Sequence, residues 1–248
     1  MSSARTRAWA VHLYTASGVG LAFLAAAEIC APAPDPRRVF LLLAGAVVVD
    51  ATDGPLARRW EVKRHLPAID GRTIDDILDY LTFTFLPLLL VWRMGWLPAP
   101  AALWVVPALL ASLLGFANAG AKDEAGGFFL GFPSYWNVVA FYMGLWSGEA
   151  PGQAAAWGNA ALVLALAALT IVPVRFVYPN LAPAPWRGPV LAGACLWLGV
   201  MLVMLMDYPR APGWLVALSL VYPLGYTVLS GVLARRARTR GRAAAIAR

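Results

Sequence analysis

Eight apolar stretches constrain this chain more than any other feature. They run near 8–29, 39–58, 73–95, 101–120, 133–148, 154–175, 188–206 and 213–234. Roughly 20 apolar residues cross about 30 Å of hydrocarbon. A segment immersed in lipid must satisfy its backbone hydrogen bonds internally, so each stretch is expected to be a helix. Composition agrees: 60% of residues are hydrophobic and 13% charged, against about a quarter charged in a soluble domain. The expected fold is an all-α integral membrane protein with about eight transmembrane helices. A soluble enzyme, a disordered chain and a disulfide scaffold are excluded. Cys30 and Cys195 form no CxxC or Cys/His cluster, so neither zinc nor a disulfide framework is expected. The first stretch is too long for a signal-peptide core and lacks a good cleavage site, which reads as a retained span.

Lysine and arginine set the orientation. With the N-terminus inside, sixteen of the twenty basic residues fall in cytoplasmic segments, and Arg37, Arg38, Arg93 and Arg210 fall outside. Both termini are therefore expected in the cytoplasm. The net charge of +7 then reflects topology rather than nucleic acid, which is not expected as a partner. Residues 1–234 read as a single polytopic domain. Residues 235–248 read as a basic cytoplasmic tail resting on anionic headgroups.

Ionisable groups at membrane depth are costly and default to function. Among the thirteen acidic residues, Asp50, Asp53, Asp75, Asp76 and Asp79 crowd the facing ends of two expected helices. Positions 50, 53, 54 and 57 are spaced i, i+3, i+4, i+7 and share a helical face. That face carries two carboxylates, then Gly54 and Ala57, whose small size leaves room for a bulky group. Pro55 removes one N–H and frees the carbonyl of Ala51, so a kink is expected there. Asp75 and Asp79 share a face of the next helix, with Asp76 turned about 100° away. A connection of about a dozen residues lets the two faces meet. Four converging carboxylates repel at low dielectric, and either protonate or bind cations. All-oxygen ligands suit Mg²⁺ or Mn²⁺. Two such ions beside Arg58 would suit a diphosphate. The competing expectation pairs these acids with Arg58, Arg59 or Arg72 between helices.

The residues Asp50, Asp53, Gly54, Ala57, Arg58, Gly71, Asp75 and Asp79 match Asp-x2-Asp-Gly-x2-Ala-Arg, a spacer, then Gly-x3-Asp-x3-Asp. This pattern resembles the signature of the CDP-alcohol phosphotransferase family at all eight positions. The spacer from Arg59 to Asp70 is twelve residues, where most members have eight. In that respect the chain resembles the phosphatidylcholine synthase branch, as it does in the segment Lys122–Asn137, in the eight-span count and, less tellingly, in Val174–Pro179. The resemblance implies transfer of the phosphatidyl group of CDP-diacylglycerol to choline, giving phosphatidylcholine and CMP. It implies Asp50, Asp53, Asp75 and Asp79 as metal ligands and Asp79 also as general base. It implies Asp50, Gly54, Ala57, Arg58 and Gly71 as the residues around the cytidine nucleotide. It implies two ions, Mn²⁺ or Mg²⁺, a homodimer, and the bacterial inner membrane with the site facing the cytoplasm.

Quaternary ammonium groups are usually met by aromatic faces. Tyr80, beside Asp79, and Tyr135 and Trp136, in the branch-like segment, are the candidates for choline. Asp123 and Glu124 could add a counter-charge. His65 and His12 read as a loop residue and an interface residue. Another alcohol acceptor, such as serine, glycerol phosphate or inositol, is the alternative within the class. A cation or proton transporter using the aspartates is the alternative outside it. A transport path should carry acids across the bilayer, yet Glu149 and Asp207 lie at expected outer ends and no acid lies mid-span.

Overall fold

The computed structural model describes residues 3–118, 120–123, 126–148 and 152–246. Glu124 and Glu149 lie outside them. The described chain is an all-α integral membrane protein but for one small sheet. Among the described residues, five helical runs are long and apolar enough to cross a membrane: Ser3–Ile29, Pro36–Arg59, Gln153–Ile171, Ala184–Met206 and Gly213–Ala237. The other three expected spans take different forms. The stretch near 73–95 is helical from Gly71 to Arg93 but is divided by a π-turn, Tyr80–Phe85. The stretch near 101–120 gives a 16-residue helix, Ala102–Ala117. The stretch near 133–148 gives a 12-residue helix, Trp136–Ser147, only about 18 Å long at 1.5 Å per residue.

The chain divides into two compact units, Met1–Leu109 with Tyr135–Ala161, and Leu110–Ser134 with Leu162–Arg248. The first holds α1 (Ser3–Ala16), α2 (Gly18–Ile29), α3 (Pro36–Arg59), the short α4 (Val62–His65), α5 (Gly71–Asp79), the π-turn and α6 (Leu86–Arg93). It also holds the start of α7 (Ala102–Ala117), α8 (Trp136–Ser147) and the first half of α9 (Gln153–Ile171). Asp35 caps α3 by accepting the Arg37 N–H at 2.9 Å, and Pro36 takes the first-turn position, where a missing N–H costs nothing. Pro55 sits inside α3 without ending it. The expected loop after Arg58 is folded: Glu61 turns in the left-handed region (φ +47°) and α4 follows. Val62 and Leu66 then bury against Ala8 and Val11 of α1, with Leu56, Ala57 and Trp60 packed alongside. Asp70 caps α5, accepting the Arg72 N–H and the Thr73 Oγ1–H. These anchors fix where the ends of α3 and α5 lie.

The second unit contains an antiparallel sheet that the apolar pattern does not announce. β1 (Lys122–Asp123), β2 (Phe128–Leu130) and β3 (Arg175–Val177) pair in that order, with Phe129 opposite Phe176. Gly127 (φ +72°) and Gly131 (φ +86°) are required here. A Cβ at 127 would stand 2.8 Å from the Leu181 carbonyl oxygen, and one at 131 would drive into that of Thr170. Phe128 and Val177 bury against Leu233 and Ala234 of α11 (Gly213–Ile246), which follows α10 (Ala184–Met206). α11 runs on unbroken through the basic stretch, so Arg235 and Arg236 are exposed on a helix.

Candidate active site

α3 and α5 bring the aspartates together as their spacing predicts. Carboxylate oxygens of Asp50, Asp75 and Asp79 all lie within 4.8 Å of one another. Asp53 stands one turn along α3, is only 7% exposed, and lines the same small cleft. Thr15, Gly18, Ala46, Val49, Leu78 and Thr82 complete that lining. Thr15 and Thr82 turn their hydroxyls to the backbone carbonyls of Val11 and Leu78, which leaves the carboxylates as the acidic part of the wall. Asp76 points away, as expected, and its Oδ2 lies 3.8 Å from Arg72 Nε.

A hard divalent cation binds oxygen at about 2.0–2.1 Å for Mg²⁺, so three carboxylates at this spacing close round one with little movement. The donor set therefore fits Mg²⁺ or Mn²⁺. Asp53 lies outside that closest triad but lines the same cleft.

The other residues of the signature, Gly54, Ala57, Arg58 and Gly71, do not line that cleft. The side chain of Arg58 lies beside Gly54, with Nη1 3.4 Å from where a Cβ on Gly54 would sit. Ala57 packs toward the α1–α4 cluster. Gly71 opens α5 against His12: a Cβ there would stand 3.1 Å from His12 Cε1. His12 is 6% exposed, and its Nε2 has no hydrogen-bond partner among the described residues. By sequence alone His12 reads as an interface residue. The spacing Ala8, Val11, His12, Thr15, a buried helical face, is the signal that places it inside.

The aromatic candidates separate. The Tyr80 hydroxyl donates to the Leu109 carbonyl at 3.2 Å. Trp136 is fully buried at 1% exposure, whereas Tyr135 is 47% exposed. The Tyr135 ring leans on Phe83, centroids 5.7 Å apart. Glu124 lies outside the described residues, and Asp123 belongs to β1 in the second unit.

No family model matches the chain. Individual relatives do. A protein of Pseudomonas aeruginosa named phosphatidylcholine synthase is 40% identical over 176 residues, covering 71% of this chain and 70% of that protein. One of Bradyrhizobium diazoefficiens with the same name is 35% identical over 219 residues, covering 86% and 77%. A third, of Brucella melitensis biotype 1, is 31% identical over 252 residues, covering 100% and 86%. With matches of this extent laid over a cleft of converging aspartates, the chain belongs to the phosphatidylcholine synthase family.

Proposed function

We propose that this chain makes phosphatidylcholine by transferring the phosphatidyl group of CDP-diacylglycerol to choline, with release of CMP. The observation that carries the reading is the meeting of Asp50, Asp75 and Asp79 within 4.8 Å, with Asp53 buried in the same cleft. The relatives' shared name supports the product.

Asp50, Asp53, Asp75 and Asp79 would hold two divalent ions, Mn²⁺ or Mg²⁺. When bound, such ions neutralise diphosphate charge and stabilise the departing phosphate oxygen. The chain's own groups do the rest. Asp79 accepts the proton of the choline hydroxyl as that oxygen attacks the phosphorus bearing diacylglycerol. The new O–P bond forms as the bond to CMP breaks, and CMP leaves with the electron pair. Arg58 holds phosphate oxygens, with Asp50, Gly54, Ala57 and Gly71 around the nucleotide. Tyr80, Tyr135 and Trp136 are the aromatic candidates for choline, with Tyr135 the most accessible.

Membrane placement suits the lipid substrate. Its acyl chains stay in the bilayer, whereas a soluble site would have to extract them at about 0.8 kcal/mol per CH₂. The distribution of lysine and arginine supports both termini in the cytoplasm and an even number of passes; we take eight, with the site on the cytoplasmic face of the bacterial inner membrane. We read residues 1–234 as the catalytic domain, 235–248 as a basic tail, and the working form as a homodimer.

The test is direct. Purified protein given CDP-diacylglycerol, Mn²⁺ and labelled choline should release CMP and label phosphatidylcholine in equal amounts. Turnover with serine and none with choline would overturn the acceptor.

A further inference from the structure

We infer that Phe83 and Tyr135 form the corner that receives the quaternary ammonium of the acceptor, with Phe83 as a specificity-determining residue. The inference rests on the reading of phosphatidylcholine formation above and extends it to a residue that reading does not use.

The argument starts from Asp79. The hydroxyl that gives up its proton there is joined through two carbons to the ammonium, so the cation must lie one short step from the carboxylate. Phe83 is four residues further on, about one helical turn along the chain. A residue four positions on returns to the same side of a helix. The intervening backbone is the π-turn Tyr80–Phe85; its wider i→i+5 hydrogen bonding keeps position 83 on that side, and such turns recur at functional sites. Tyr135, at the N-terminal edge of α8, meets Phe83 with centroids 5.7 Å apart and planes inclined at 54°. Two ring faces at that angle make a corner rather than a flat stack.

The chemistry favours this corner over the neighbouring aromatics. A trimethylammonium offers no N–H, so a hydrogen-bonding wall gains nothing from it, while a ring face attracts its charge. Tyr80 is tied to the Leu109 carbonyl and Trp136 is enclosed. Tyr135 is half exposed, and Phe83 carries no polar group that needs a partner.

The experiment uses the purified full chain with CDP-diacylglycerol, Mn²⁺ and either choline or 3,3-dimethylbutan-1-ol, its uncharged isostere. Phe83→Leu and Tyr135→Leu should each raise the KM for choline by about 2- to 30-fold. The KM for CDP-diacylglycerol should stay within about twofold, and the preference for choline over the isostere should shrink in step. Tyr135→Phe, which keeps the ring, should restore the KM for choline. Unchanged choline KM in both leucine variants would overturn the inference, as would equal rises in both substrates' KM with preference intact. Tyr135 is exposed enough that its variant reads out even if Phe83→Leu fails to fold. Failure of the wild-type protein to use choline would instead overturn the reading beneath it.

Discussion

The two ends of α3 carry acids of the same kind to opposite purposes. At its start, Asp35 accepts the Arg37 N–H, Glu28 accepts the Asp35 N–H at 3.0 Å, and Arg38 lies 3.5 Å and 3.8 Å from Asp35 and Glu28. Every oxygen there serves a cap or a cation. Near its end, Asp50 is drawn within 4.8 Å of two more carboxylates, with Asp53 buried beside them. Acids that only hold a fold are arranged to cancel. Acids gathered onto one another store repulsion that a bound cation relieves. Clustering, rather than acidity, marks the site.

Four variants break or sharpen that contrast. Asp79→Asn keeps the shape and removes the base, so turnover should fall by roughly 10²- to 10⁴-fold, the usual worth of a positioned base. Its melting temperature should stay near that of the wild type by thermal denaturation in detergent. Retained turnover would remove the base assignment. Gly71→Val comes next. Its β-branched side chain must enter the space held by His12, an overpacking that costs about 1–3 kcal/mol, and it shifts the helix that carries Asp75 and Asp79. Both stability and kcat should drop together.

At the opposite end of α3, Asp35→Ala removes the cap. Stability should fall by about 0.5–2 kcal/mol while both substrates' KM values hold, since nothing at that end touches the cleft. The smallest effect is expected at Asp70. Hydrogen bonds from the Thr73 hydroxyl and the Arg72 N–H hold its carboxyl below the ordinary 3.8. A carboxylate held low in the folded state contributes stability above 3.8, lost as pH falls through its folded value. Comparing Asp70→Ala with wild type, the difference in melting temperature should be present at pH 6 and narrow as the pH drops below about 4.

The geometry of the aspartate cluster is largely legible in the sequence, and the reason is local. Positions 50, 53, 75 and 79 lie on single helices, where spacing alone assigns a face, and the i, i+4 link of Arg72 to Asp76 follows the same rule. The same spacing turns Asp76 away from the cluster, and it lies outside the cleft. What escaped depends on distant residues or on departures from regular geometry. The pairing of Phe128–Leu130 with Arg175–Val177 joins segments more than 40 residues apart, and no periodicity within either one announces it. The π-turn after Asp79 inserts a backbone change into an apolar run that looks uniform. Ala57 packs against the cluster of Ala8, Val11, Val62 and Leu66, a contact fixed by a folded spacer that reads as a loop. The burial of Trp136 and the seating of His12 against Gly71 are likewise tertiary facts.

The most direct test of the central claim, that the aspartate cluster at the α3–α5 end is where phosphatidyl transfer occurs, compares wild type with Asp79→Asn. Both would be reconstituted with CDP-diacylglycerol and Mn²⁺, with CMP release followed as choline is added. The account predicts CMP release that requires choline and matches phosphatidylcholine formed one for one in the wild type, with both reduced by roughly 10²- to 10⁴-fold in a folded Asp79→Asn. Choline-dependent CMP release at wild-type rate by that variant would contradict it.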